Sequence, residues 1–299
     1  MKQLENLLQK MEEMFKDKDK YEFDYGWSFR NYNFSTGQFY IGIFNNIVLN
    51  LSAIKNGYKL PYWTGFKQAM KNKININKGA KGTPLIICSK KTEYYLSGQL
   101  IENNDIDDSM LPDVTIKERR FYQPAYVFNI EQTDANPENY LMPTSPQMDS
   151  LDVLLHNYCK RENINIYDTL DMSFYDFVKD AIFIPNKLLF YDMETYFETF
   201  AHECAHSTGI EKRLNRKLVA NKTAQEDEEK EKIYDTEELI AELTSAILLS
   251  EFGIDHLENS IAYLSSYLKE ASIKELWNLS SLAQKAVDYI KNPKEVKCE

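Results

Sequence analysis

His202, Glu203 and His206 stand in the run HECAH. On a helix, residues i and i+4 leave the same face, so both imidazoles can reach one metal ion. Imidazole nitrogens suit Zn2+. Glu203, beside the first histidine, is placed to take a proton from metal-bound water and return it to a leaving amine. Such a site needs a third protein ligand. The three-histidine pattern HExxHxxGxxH fails, because Gly209 is present but Lys212 occupies the last position. His156 and His256 lie in no metal-ligand pattern. Glu238 and Glu242, one turn apart in YDTEELIAELTSAILL (234–249), offer a ligand and, behind it, an acceptor for a histidine N–H. Glu237 is the alternative ligand. Glu238 has a competing role as the N3 partner of an Asp235 N-cap in a capping box.

These residues require two helices. Asp192 can cap the first, starting near Met193, and Gly209 can end it as a left-handed residue. Phe197, Phe200, Ala201 and Cys204 give it apolar positions at helical spacing. The second helix covers 234–249, and EDEEKEK (226–232) before it reads as a solvated loop or helix face. AIFIPNK (181–187) reads as a strand, as do 84–88, 93–96 and 125–130. The N-terminal run places Leu4, Leu7, Leu8, Met11, Met14 and Phe15 at helical spacing, as a packing helix does. Residues 132–149 are polar, with three prolines up to position 150, and read as a linker between domains at 1–131 and 150–299. The expected class is α+β in two domains.

The charge is uneven. The chain of 299 residues has a net charge of −11, yet Tyr25 to Lys91 contains ten Lys or Arg and no Asp or Glu. Average usage would place about eight carboxylates there. Aromatics, including Tyr40, Trp63 and Phe66, interleave with Lys67, Lys71, Lys73, Lys78 and Lys81. Lysines neutralise phosphates and aromatic faces stack on unpaired bases, so the pattern describes a single-strand binder better than a duplex reader. In NKGAKGTP (77–84), Gly79 and Gly82 allow close backbone approach, either to phosphate or in a plain hairpin connection. Cys88, Cys159, Cys204 and Cys298 form no CxxC pair, which excludes a disulfide framework and a cysteine zinc site. No segment approaches the roughly 20 apolar residues of a membrane span. No export signal is evident, so a reducing cytoplasm is expected.

YFETFAHECAHSTGIEKRLNRK, YDTEELIAELTSAILLSEFGI and ENSIAYLSSYLKE resemble the zincin-like metallopeptidase domain of ArdC-type antirestriction proteins. TGQFYIGI, LPYWTGFKQAM, INKGAKGTPLIIC and YVFNIEQTD are similar, in the same order, to that family's N-terminal single-stranded-DNA-binding domain. The resemblance implies an α+β DNA-binding domain followed by a mostly helical zincin-like domain with a small sheet. It implies Zn2+ on His202, His206 and Glu238, with Glu203 as the catalytic carboxylate. It also implies a protein of a mobile element that shields incoming DNA from restriction in the cytoplasm of a bacterial host. One departure is visible: the family's YxGxN motif has Phe44 at its last position, with Asn45 and Asn46 following. Three functions follow as expectations. The first is a DNA-bound zinc peptidase cutting a host protein of the restriction machinery, with Tyr263 or Tyr234 as oxyanion donor. The second is a DNA shield with structural zinc. The third is an intracellular peptidase whose basic domain recruits an acidic protein.

Overall fold

The computed structural model describes residues 2–20, 30–40, 42–101, 114–140, 146–216, 227–254 and 267–292. Two long strands dominate the first half. β4 (Thr83–Leu96) and β6 (Val114–Asn129) pair antiparallel from Thr83 opposite Val127 to Leu96 opposite Val114. The two short strands expected at 84–88 and 93–96 are thus one. The polar residues between them are tolerated because this part of the ribbon leaves the core, and Ile87, Ile116 and Phe121 are exposed along it. With β1 (Tyr32–Asn33), β2 (Gln38–Phe39), β3 (Tyr62–Gly65) and β5 (Gln99–Ile101), they form a six-stranded sheet in the order β2-β1-β3-β6-β4-β5. β6 stops at Asn129, whose side chain accepts from Glu131 N at 3.0 Å and opens a short 3-10 turn.

Three helices complete this half: α1 (Lys2–Met14), α2 (Ile43–Asn56) and α3 (Phe66–Lys71). Leu7, Leu8 and Met11 of α1 are buried, as is Phe15 just after it, in keeping with their helical spacing. Asn45, which follows the departure at Phe44, clamps α2 to the sheet. Its Nδ2 donates to Ile86 O at 3.0 Å and its Oδ1 accepts from Ile86 N at 2.9 Å. Asn46 turns inward, donating to the carbonyls of Tyr40 and Gly42 and accepting from Asn31.

The second half begins with α4 (Met148–Glu162), closed by Asn163 at φ 57°. β7 (Asn165–Thr169), β8 (Phe174–Asp176) and β9 (Ala181–Pro185) form a sheet in the order β7-β9-β8, with β8 antiparallel at its edge. α5 (Met193–Ser207), α6 (Asp227–Glu251) and α7 (Ile273–Lys291) follow. The run 226–232 therefore lies largely in the first turns of α6.

The fold is α+β in two domains, and one apolar core runs through both: Met11, Val48 and Leu85 belong to the same cluster as Phe200, Leu243 and Leu276. α7 is the common wall, packing on α1, α2, α4, α5 and α6. Polar ties cross the seam, from Lys18 Nζ to Lys269 O at 3.0 Å and from Ile273 N to Glu12 Oε2 at 2.6 Å. Residues 132–140, in the stretch read as a linker, strap onto the first half: Asp134 accepts from Asn75 N at 2.8 Å, and Tyr140 packs edge-on to Phe34. Among the described residues no helix is long and apolar enough to cross a membrane.

Candidate metal centre

The HECAH run sits on α5, which Asp192 caps by accepting from Thr195 N at 2.7 Å. Phe197, Phe200, Ala201 and Cys204 are buried, so the apolar face of α5 points into the core. The helix does not end in a left-handed glycine, because Gly209 is not among the residues at positive φ. Two arginines take its last carbonyls instead. Arg216 Nη2 donates to Ala205 O at 3.0 Å and Arg213 Nη1 to Ser207 O at 2.7 Å. Side-chain donors satisfy the orphan groups as a glycine cap would. Lys212, at the position of a third histidine, pairs with Asp180.

α6 packs along α5. It begins at Asp227, so Glu238 is a mid-helix residue and the capping box with Asp235 does not form. His202, His206 and Glu238 converge. The two Nε2 atoms are 3.0 Å apart, and the Glu238 oxygens lie 3.4 Å from that of His202 and 3.5 Å from that of His206. Ligands at about 2.0–2.1 Å from a tetrahedral zinc would be separated by about 3.3 Å, so this triangle fits such an ion. All three side chains are partly exposed, leaving an approach from solvent.

Each histidine has a carboxylate behind it. Glu242 Oε1 lies 3.4 Å from His202 Nδ1, and Glu237 Oε1 lies 3.6 Å from His206 Nδ1. Such contacts fix the tautomer that presents Nε2 to a metal. Glu237, the alternative ligand, thus faces the back of His206. It is in turn held by Arg216, whose Nε donates to Glu237 Oε2 at 3.0 Å and whose Nη1 donates to Thr208 Oγ1 at 2.6 Å. The residues that sequence reasoning missed are Arg216 and this role of Glu237. No local spacing links position 216 to 237, so no signal was available.

The electrostatics follow from burial and pairing. Burial pushes the His206 imidazole down, but Glu237 and Glu238 outweigh it and lift the group to about 9. Burial pushes Glu238 and Glu237 up. Hydrogen bonds from His202 and His206 overcome this at Glu238, and His206 and Arg216 do so at Glu237, leaving both below the ordinary carboxylate range. Glu203 moves the other way. It is buried, its Oε2 has no hydrogen-bond partner among the described residues, and desolvation raises it despite the nearby histidines.

Residues 2–128 match the N-terminal domain of anti-restriction factor ArdC, and residues 155–275 match the zincin-like metallopeptidases. The chain joins an ArdC N-terminal domain to a zincin-like domain. Two solved structures of the antirestriction ArdC protein from R388 plasmid share this fold. The metal-free one is 24% identical at a TM-score of 0.57, covering 89% of this chain and 90% of that one. The Mn(II)-bound one is 25% identical at 0.58, covering 91% and 92%. Among curated proteins, a DNA primase TraC of Escherichia coli is 30% identical over 88% of this chain. The uncharacterized protein y4eC of Sinorhizobium fredii (strain NBRC 101917 / NGR234) is 24% identical over 86%. The chain spans 24% of that TraC and 80% of y4eC.

The residues of the ArdC-type half that were expected to meet DNA separate into two groups. Lys67, Lys71, Lys73, Lys78 and Lys81 are all exposed. Trp63 is fully buried and donates its indole N–H to Asn31 Oδ1 at 2.8 Å, which makes it a core residue and removes it from any stacking surface. Tyr40 is half-buried against the core. Gly82 has a packing reason, since an added Cβ would lie 3.1 Å from the Tyr126 side chain and 3.2 Å from that of Phe128. Tyr263 lies outside the described residues, as does the side chain of Tyr234.

Proposed function

We propose that this is an ArdC-like antirestriction protein of a mobile element, acting in the cytoplasm of a bacterial host. It binds single-stranded DNA through its basic half and holds Zn2+ on His202, His206 and Glu238. It hydrolyses a peptide bond in a host protein of the restriction machinery. The observation that carries the peptidase reading is Glu203, a buried carboxylate with an unpartnered oxygen, next in sequence to the first histidine of the triangle. A bound zinc would polarise a carbonyl and acidify water. Glu203, held above its ordinary pKa by desolvation, is suited to accept the proton of that water and return it to the departing amine.

Two features support a polypeptide substrate and an open metal site. β8 is an edge strand beside α5. Such an edge can receive an extended chain by main-chain pairing. Leu170, Met172, Phe174 and Val178, within and flanking β8, are exposed. Structural zinc sites are closed by four protein ligands, whereas the described residues offer three. The donor set of two imidazoles and one carboxylate suits zinc, while one solved structure of the R388 protein is Mn(II)-bound.

The test is protection of incoming DNA from a host restriction system. Glu203→Gln and a variant with Lys67, Lys71, Lys73, Lys78 and Lys81 neutralised are each expected to lose protection. Full protection by Glu203→Gln, with metal still bound, would leave a DNA shield as the function and remove the peptidase reading.

A further inference from the structure

A groove of about 1230 Å³ runs between the six-stranded sheet and α7. One side is built from the acid-free stretch, through β4, the start of α2 and the start of α3, together with β6. The other side is α7, which contributes Trp277, Ser280, Ser281, Gln284, Lys285 and Asp288. The groove therefore belongs to neither half alone.

Its chemistry is specific. Phe66 and Tyr126 line it and are 56% and 52% exposed, so their ring faces are open to the groove. Lys67 stands on one side and Lys285 on the other. Asp288 is the one lining carboxylate among the described residues, and it accepts from Gln284 Nε2 at 3.0 Å. Two buried hydroxyls on the lining, Tyr40 Oη and Ser280 Oγ, have no partner among the described residues, and Ser280 is only 2% exposed. The groove also meets the N-terminus of α2, where Gly42 at φ 95° supplies no capping side chain and a Cβ would meet nothing within 4 Å. Gln284 of α7 caps this turn from the far wall, its Oε1 accepting from Ile43 N at 3.4 Å, so the two walls are tied across the groove.

We propose that an unpaired nucleic-acid strand lies in this groove, with phosphates toward Lys67 and Lys285 and bases against Phe66 and Tyr126. In this arrangement α7 of the zincin-like half forms the far wall. This rests on the single-strand-binding reading and deepens it: the strand site is completed by the metal-bearing half. α7 also packs on α6, the helix that carries Glu238, so a strand in the groove touches the support of the metal centre.

The experiment uses the full chain and a fluorescently labelled 15-mer of mixed sequence. Anisotropy compares Lys285→Glu with Lys274→Glu, an equal charge reversal at an exposed position on the same helix that does not line the groove. Lys285→Glu is expected to weaken binding about tenfold, and Lys274→Glu less than about twofold, because only the first removes a phosphate contact. Phe66→Ala is expected to weaken it about tenfold by loss of base stacking. Cys88, exposed on the groove lining, gives a direct footprint: bound oligonucleotide should slow its alkylation, read by peptide mass spectrometry. If the wild-type chain binds the strand but the two charge reversals act equally and Cys88 is unprotected, the groove is the wrong place and the DNA reading survives. If the wild-type chain shows no salt-dependent binding, both fall. Protection of Cys88 by polyglutamate and not by the oligonucleotide would assign the groove to an acidic protein and overturn the proposal.

Discussion

Replacing Arg216 and Glu237, singly and together, separates what holds the fold from what orients the metal ligand. Arg216 is 5% exposed and bonds both oxygens of Glu237, Thr208 Oγ1 and Ala205 O. Arg216→Met leaves the buried Glu237 carboxylate with only His206 beside it, a half-broken buried pair that destabilises by up to about 3–5 kcal/mol. Arg216→Met with Glu237→Leu removes both charges. Ala205 O keeps its bonds from Thr208 N and Thr208 Oγ1, so what remains is the loss of the hydrogen bonds Arg216 itself made, about 1–3 kcal/mol in all. Stability should therefore recover in the double variant. Metal affinity should not, because His206 Nδ1 has lost the carboxylate 3.6 Å behind it, and such partners are worth about 10–100-fold. Urea unfolding of the chelated proteins gives the first quantity, and competition with a chromophoric zinc chelator gives the second. A double variant that recovers stability and binds zinc within twofold of wild type would refute the idea that Glu237 orients His206. One less stable than either single variant would refute the buried-pair bookkeeping.

Other predictions follow from the same geometry. His206 sits at about 9 in the metal-free site, and a metal needs the neutral imidazole, so zinc binding at pH 7 should release about one proton and weaken about tenfold per pH unit below 9. Calorimetry in buffers of different ionisation enthalpy measures it. In the chelated protein, the raised His206 contributes stability that is full below its unfolded value near 6.5 and is lost as pH rises through about 9. The lowered Glu237 and Glu238 contribute stability that is present above their unfolded values near 4.3 and is lost as pH falls further. Thermal melts should thus be highest at about pH 5–6.5 without metal, and zinc should raise the curve most above that window. Asp192→Ala should destabilise by about 1 kcal/mol through loss of the α5 cap, with metal affinity changed less than about twofold, since the site lies near the helix's other end.

Legibility in the sequence followed the range of the interaction. The placement of His202 and His206 on one face was readable because a helix repeats every 3.6 residues, and Asp192 marked where that helix starts. The charge asymmetry was equally plain, since composition needs no fold. The ends of elements were harder. Gly209 carried the usual signature of a helix stop, but arginines at 213 and 216, folded back by the following turn, took over the carbonyls. β4 and β6 ran through polar residues that a local reading treats as breaks, because fourteen paired positions outweigh them.

The local sequence by itself determined which residue types could do chemistry and which lie on one helical face. Only tertiary packing decided how the three glutamates of α6 divide their work, with Glu238 toward the two Nε2 atoms, and Glu242 and Glu237 behind His202 and His206. The reason is geometric. Residues 206 and 238 are linked by no local periodicity, so their separation is set by how closely α6 packs on α5. The same holds for Trp63 in the core and for Lys285, distant in sequence, facing the basic half across the groove.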